Sequence, residues 1–174
     1  MSGIRLAAGV VCAAALVAGC GNATVEGEAQ SAPEATDPVF SPCDDIPDEA
    51  VAALGMDPAS ESRDILGVST PGWKGCVWRH DSRSHFLRIE ATVHPLSEVR
   101  ENPVFGEFED VEVGDREGVQ FRMVADKGRT GCYVAVESDG GAVLIAVREG
   151  RTVPDDPCGI ARAATLGLLS WIPE

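Results

Sequence analysis

The stretch Phe86-Leu87-Arg88-Ile89-Glu90-Ala91-Thr92-Val93-His94 alternates between apolar and polar side chains from Leu87 onwards. Because successive side chains of a strand point to opposite faces, this period of two predicts a half-buried β-strand. The apolar face would carry Leu87, Ile89, Ala91 and Val93. Pro95 ends the strand, residues 75–80 form its partner, and the turn between them is Asp81-Ser82-Arg83-Ser84.

Three more strands are predicted further along the chain, over residues 118–125, 132–137 and 142–148. Each of them alternates, and the turns between them contain glycines that can adopt a positive φ. Residues 96–117 connect the two groups of strands, with a helical turn at 97–100. The sequence therefore predicts about five antiparallel strands.

A helix is predicted on either side of these strands. Residues 47–55 form the first helix, and residues 56–72 after it are polar and turn-rich, which indicates a loop. Asp156 is the expected N-cap of the second helix, which runs from Pro157 to about Ser170. Its sheet-facing side would carry Ile160, Ala164, Leu168 and Trp171. The expected fold is an α+β domain in which the helices pack on one face of the sheet.

The first residues are typical of an export signal. Arg5 precedes the apolar run Leu6–Ala18, and Leu16-Val17-Ala18-Gly19-Cys20 resembles the bacterial lipobox. We expect residues 1–19 to be a lipoprotein signal peptide and the Cys20 thiol to receive a diacylglyceryl group. Residues 20–39 are then the lipidated cysteine and a disordered tether, and residues 40–174 are a single domain.

The chain has 174 residues and a formal net charge of −14. This acidic balance argues against a nucleic-acid partner, because nucleic-acid binding requires a basic surface. No motif in the sequence assigns a catalytic residue, a metal site or a cofactor.

Four cysteines remain in the predicted domain, namely Cys43, Cys76, Cys132 and Cys158. An even number in an exported domain indicates two disulfides, and four cysteines allow three pairings. Pairing of nearest neighbours, Cys43 with Cys76 and Cys132 with Cys158, is the favoured arrangement. A zinc site is the alternative, although no Cys-x-x-Cys is present.

Five stretches resemble the actinobacterial lipoproteins grouped as domain of unknown function 3558. They are the lipobox ending in Cys20, Ser41-Pro42-Cys43, Gly72-Trp73-Lys74-Gly75-Cys76-Val77-Trp78, Gly131-Cys132-Tyr133-Val134 and Asp156-Pro157-Cys158. The resemblance implies a lipid-anchored envelope protein. It implies no activity, so no catalytic residue can be transferred.

Trp73 is the residue with the clearest potential to contact a ligand, because an aromatic ring on a loop can stack on a sugar or an apolar molecule. The role that the sequence favours, however, is structural, with Trp73 covering the disulfide of Cys76. The expected role of the protein is a non-catalytic binding or accessory domain at the outer face of the plasma membrane. Its partners would be the membrane, through the lipid, and an envelope protein or a small apolar or sugar ligand.

Three weaker candidates point to other functions. The run His80–His85 contains serine, histidine and aspartate, the residue types of a hydrolase, but neighbours on one hairpin rarely face each other. His80 and His94 could hold a metal together with Glu90. The acidic run Glu107–Glu117 could belong to a calcium-dependent module, but its alternation with apolar residues favours an edge strand.

Overall fold

The computed structural model describes residues 37–63 and 70–174, which form a seven-stranded sheet with short helices. The helices are α1 (Pro42–Asp45), α2 (Asp48–Ala53), α3 (Leu96–Glu101) and α4 (Pro157–Leu168), and a 3-10 turn, Leu169–Trp171, follows α4. The strands are β1 (Met56–Ser62), β2 (Trp73–His80), β3 (His85–Thr92), β4 (Phe105–Val113), β5 (Arg116–Met123), β6 (Cys132–Ser138) and β7 (Gly141–Glu149).

The sheet consists of two meanders that meet along one seam. Its strand order is β1-β2-β3-β7-β6-β5-β4, and every neighbouring pair is antiparallel. The seam joins β3 to β7. Close backbone approach at its end requires glycine, because a Cβ on Gly141 would lie 1.9 Å from the Thr92 carbonyl oxygen.

The prediction of about five strands was too low, because β1 was assigned to a loop and the edge strand that the alternation of residues 107–117 favoured was left out of the count. Residues 56–72 were expected to be a loop, yet β1 occupies their first part. Its sequence, Met-Asp-Pro-Ala-Ser-Glu-Ser, has no apolar alternation, and its pairing with β2 is irregular between Asp57 and Ser62. The opposite edge strand, β4, lies inside the predicted connection 96–117.

One face of the sheet carries the main core. Apolar side chains of β2, β3, β6 and β7 pack there against α1, α2 and α4. Leu87, Ile89 and Ala91 lie on this face, as the alternation of β3 predicts, and they are almost fully buried. Trp78 is the largest side chain in this core and has no exposed surface.

The predicted inner side of α4 was partly wrong. Ala164 and Leu168 are buried, but Trp171 is 42% exposed, and Ala161 and Thr165 are buried in addition. The reason is that the α-helix ends at Leu168 and a 3-10 turn follows. Trp171 therefore lies beyond the α-helix, where the α-helical spacing used in the prediction no longer applies.

The second face of the sheet is also partly covered, which corrects the expectation that helices pack on one face only. The short helix α3 places Leu96 and Val99 against β5, β6 and β7 side chains in a second apolar cluster. It lies next to β4 and β6 and leaves the region over β2 and β3 open.

The two disulfides join Cys43 to Cys76 and Cys132 to Cys158. This is the pairing of nearest neighbours that the sequence analysis favoured. Each bond ties the first turn of a helix to a strand, α1 to β2 and α4 to β6. The Asp156 side chain caps α4 by accepting a hydrogen bond from the Gly159 amide at 2.8 Å, as predicted.

The predicted signal peptide, Cys20 and most of the tether lie outside the described residues. Within 37–63 and 70–174, no helix has the length and apolar character needed to cross a membrane.

Candidate functional site

The open part of the second face contains a cavity of about 650 Å³, which we call the sheet-face pocket. Its walls come from β2, β3, β5, β6 and β7 and from the segment that enters β4. The residues lining it are Thr70, Trp73, Val77, Phe86, Arg88, Glu90, Asn102, Val104, Phe105, Met123, Tyr133 and Arg148.

Strand register explains why this part of the sheet is concave. Arg88 on β3 lies opposite Ala146 on β7, and Ala146 lies opposite Tyr133 on β6. Ala146 is fully buried and belongs to the second cluster, so a small side chain stands between two large ones. Arg88 and Tyr133 therefore stand on either side of β7 and form opposite walls of the pocket.

An ion pair lies within the pocket. Arg88 donates a hydrogen bond to Glu90, whose side chain is only 14% exposed. Burial raises the pKa of the Glu90 carboxyl above its ordinary value, and the neighbouring Arg88 charge opposes that rise. The buried Nε of Arg88 has no hydrogen-bond partner among the described residues.

Arg148 is the second cation of the pocket, and it stands apart from this ion pair. Its Nη1 atom lies 2.8 Å from the Met123 sulfur, a weak acceptor, and its charge opposes the rise that burial causes in the pKa of the Tyr133 hydroxyl. No carboxylate of the described chain lies within 4.0 Å of its guanidinium nitrogens. Its charge helps to lower the pKa of Asp126, but that carboxylate accepts its hydrogen bonds from Thr130 and Gly131.

Aromatic rings form the wall of the pocket on the side of β4. Phe105 and Tyr133 have ring centroids 5.4 Å apart, and both contact Phe121, at 4.8 Å and 5.2 Å respectively. Burial raises the pKa of the Tyr133 hydroxyl. These contacts hold the wall in place, because aromatic pairs prefer such offset or edge-on arrangements.

Trp73 lies at the rim of this pocket, half-buried, with its ring centroid 5.9 Å from that of His94. The structural role that the sequence favoured, covering the disulfide of Cys76, was wrong. Trp73 packs against the second cluster, whereas Cys76 and Trp78 belong to the core on the other face. Its contact with a ligand remains a prediction, now with a cavity beside it.

The side chains of the His80–His85 turn meet more closely than expected. His80 Nδ1 lies 2.8 Å from Ser82 Oγ, Ser82 Oγ lies 3.1 Å from Ser84 Oγ, and Ser84 Oγ lies 2.9 Å from His85 Nδ1. The two imidazole centroids are 4.5 Å apart. Neighbours on this hairpin therefore do face each other, contrary to the expectation from sequence.

This chain of hydrogen bonds nevertheless lacks the order of a catalytic triad. The only described hydrogen bond of Asp81 runs from its backbone amide to the Gly55 carbonyl. Within the described chain, the Asp81 carboxylate therefore orients neither His80 nor His85. His85 is 7% exposed, and burial together with the nearby His80 lowers its pKa. The cavity beside His85, about 250 Å³, is otherwise lined by apolar side chains of α2, α4, β1 and β3 and by Leu54.

The acidic run Glu107–Glu117 falls mainly on β4, and β4 is an edge strand, as the alternation favoured. Several of its carboxylates already have partners: Glu107 pairs with Arg129, Asp110 pairs with Arg100, and Glu109 accepts from Gln120. Among the described residues these acids do not form a group of three that could share one ion.

The other metal candidates are not assembled either. Within the described ranges, Cys43, Glu61 and Cys76 are the one group with suitable spacing, and both sulfurs are bonded to each other. His80 stacks on His85, whereas His94 pairs with Glu98 at 2.7 Å, so the expected His80–His94–Glu90 site does not form.

Sequence reasoning missed the two arginines and Tyr133 of the pocket. The alternation of β3 placed Arg88 and Glu90 on its polar face but carried no indication that this face is half-buried. A prediction that β3 is a central strand could have identified Arg88 and Glu90, because polar residues on central strands are rarely fully solvated.

Comparison with known proteins gives one match. A family model described as "Protein of unknown function (DUF3558)" covers residues 15–168. No curated protein and no solved structure matches the chain.

Proposed function

Since the chain belongs to the DUF3558 family, whose biochemical role is unknown, we propose that it is a lipid-anchored envelope protein that binds a small molecule. The anchor is a lipid on Cys20, residues 21–39 tether the domain to the outer face of the plasma membrane, and the sheet-face pocket holds the ligand. On this proposal the protein acts as a carrier or sensor, without catalysing a reaction.

The sequence features that support export are independent of the pocket. An apolar run ending in a lipobox-like motif precedes Cys20, and a stretch rich in alanine, glutamate, serine and proline follows it. Two disulfides are typical of proteins that fold in an oxidising compartment.

The observation that carries the binding role is the sheet-face pocket itself. Its volume of about 650 Å³ falls inside the range of roughly 300–1,000 Å³ that is typical of small-molecule sites. Its walls are mostly apolar and aromatic, with a few charged groups among them. Such a composition is typical of sites that bury a ligand and orient it with a few polar contacts.

The anchor is tested by labelling a bacterial host with an alkyne-bearing fatty acid and separating its membranes. We expect the label in the wild-type chain and none in Cys20→Ser, which should also leave the membrane fraction. Cys12→Ser is the matched control, because Cys12 lies inside the predicted signal. Labelling that persists in Cys20→Ser would exclude this anchor.

The binding role is tested by native mass spectrometry of the full Cys20→Ser chain, purified without detergent from the host. We expect an added mass of a small molecule, lost when Phe105→Glu places a charge in the pocket wall. A Val153→Glu variant is the control, since Val153 is exposed and does not line the pocket. An added mass that survives Phe105→Glu would place the ligand elsewhere.

A further inference from the structure

The charge of the sheet-face pocket is opposite to that of the whole chain. The chain carries a formal net charge of −14, yet Arg88 and Arg148 are opposed by Glu90 alone in the pocket. The net negative charge of the chain does not attract an anion, so local contacts with the pocket arginines must select an anionic ligand.

Arg148 supplies the cation that has no carboxylate in direct contact, although Asp126 lies near enough to feel its charge. Its hydrogen-bond partner in the described chain is a thioether sulfur, which carries no charge. A half-buried guanidinium loses hydration, and an ion pair with a carboxylate or phosphate compensates for that loss. The guanidinium also offers several donors in a planar fork that matches either anion.

Arg88 offers a second donor close to the first. One of its terminal nitrogens is used by Glu90, while its buried Nε has no partner in the described chain. That buried nitrogen is closed to a ligand, but the side chain as a whole is 32% exposed, so the outer guanidinium atoms can contact a ligand oxygen.

Strand register places these donors together. Arg88 lies opposite Ala146, two residues before Arg148 on β7, so the arginines are diagonal neighbours across the seam. Diagonal neighbours on one face are roughly 7–8 Å apart, within reach of one headgroup for long side chains. Glu90 lies opposite Leu144, on the far side of Arg88 from Arg148, so its carboxylate lies closer to Arg88 than to Arg148.

Apolar side chains continue from the arginines towards the rim. Phe86 lies opposite Arg148 in the register, and Val77, Phe105 and Trp73 line the remainder of the pocket. These walls offer no charged group and few hydrogen-bonding groups, which favours an alkyl chain or a ring over a sugar with many hydroxyls.

We infer that the ligand of the sheet-face pocket is an amphipathic organic anion, with its carboxylate or phosphate on Arg148 and Arg88 and its apolar body along Trp73 and Phe105. This inference rests on the proposed binding role and specifies the chemistry of the ligand.

The experiment is calorimetric titration of the full Cys20→Ser chain, without detergent and below the micelle concentration of each probe. The probes share a ten-carbon chain and differ in the headgroup: decanoate, decyl phosphate, decanol and decyltrimethylammonium. We expect at least one of the two anions to bind tenfold or more tightly than decanol, and the cation to bind most weakly. Whichever anion binds more tightly identifies the headgroup.

Arg148→Gln should abolish the preference for the anion while leaving the binding of decanol unchanged, and Arg148→Lys should retain part of it. Arg129→Gln is the matched control, because Arg129 is an exposed arginine that pairs with Glu107 outside the pocket. Thermal melting of each variant verifies that it is folded.

The outcomes separate the two proposals. Equal binding of all probes, or tighter binding of the cation, overturns the anionic ligand and leaves a binding pocket in place. An anion preference that survives Arg148→Gln overturns the assignment to Arg148. Failure of every probe to bind overturns the binding role itself.

Discussion

Removal of the Cys132–Cys158 disulfide should cost this protein about 3.5 kcal/mol of stability. The bond closes a loop with a sequence separation of 26 residues. In the chain-entropy relation, the denatured state loses an entropy that grows with the logarithm of loop length, and that separation gives about 3.5 kcal/mol at 25 °C. The perturbation is the double substitution Cys132→Ala and Cys158→Ala.

The assay is equilibrium unfolding in urea at pH 7, followed by circular dichroism on the full Cys20→Ser chain. We expect the midpoint to fall and the slope with urea to rise, because a chain without the crosslink exposes more surface when it unfolds. The free energy of unfolding of native domains is about 5–15 kcal/mol. A variant without one disulfide should therefore still be folded in the absence of urea, so its unfolding transition can be measured.

The matched variant is Cys43→Ala with Cys76→Ala, which opens a loop with a separation of 33 residues. The same relation gives about 3.7 kcal/mol, so the two variants should lose nearly equal stability. A loss below about 1 kcal/mol in either variant, or an unchanged slope, would refute the argument that the bonds act by restricting the denatured chain.

Two further predictions concern single side chains. Trp78→Ala should lower the free energy of unfolding by about 3–5 kcal/mol in urea titrations, because a fully buried indole leaves a cavity when it is removed. Trp73→Ala should lower it much less, because Trp73 lies at the rim of the pocket. Equal losses in the two variants would contradict the placement of Trp73 at the rim. His85 has a folded pKa below its unfolded value of about 6.5, so the unfolded state binds more protons as the pH falls below that value and stability declines. His85→Gln should weaken this decline in urea titrations from pH 7.5 to 5, and an identical pH profile would show that His85 does not titrate in this way.

The sequence predicted the elements whose burial follows a simple period. The alternation of β3 identified its apolar face, and Asp156-Pro157 marked the start of α4, because both signals are local. The edge strand β1 was missed because Asp57, Pro58 and Ser60 hide any alternation, and an edge strand needs little of it when one side faces solvent.

The sheet-face pocket could not be derived in the same way. It depends on Arg88, Ala146 and Tyr133 lying in one row across three strands, and these residues are far apart in the sequence. That row exists only once β7 has paired with β3 in one register. Trp73 was singled out from its type alone, and strand alternation then placed it on the face of the pocket.

The seam between β3 and β7 has a consequence for the order in which the chain is made. Synthesis proceeds from the N-terminus, so β1, β2 and β3 emerge early, and Cys43 and Cys76 are then both present. The free edge of β3, however, has no partner until β7 is complete at Glu149. An unpaired strand edge is a template for pairing with other chains. Nascent chains therefore expose this edge while residues 93–149 are being made, and a holdase that covers it would protect them from aggregation.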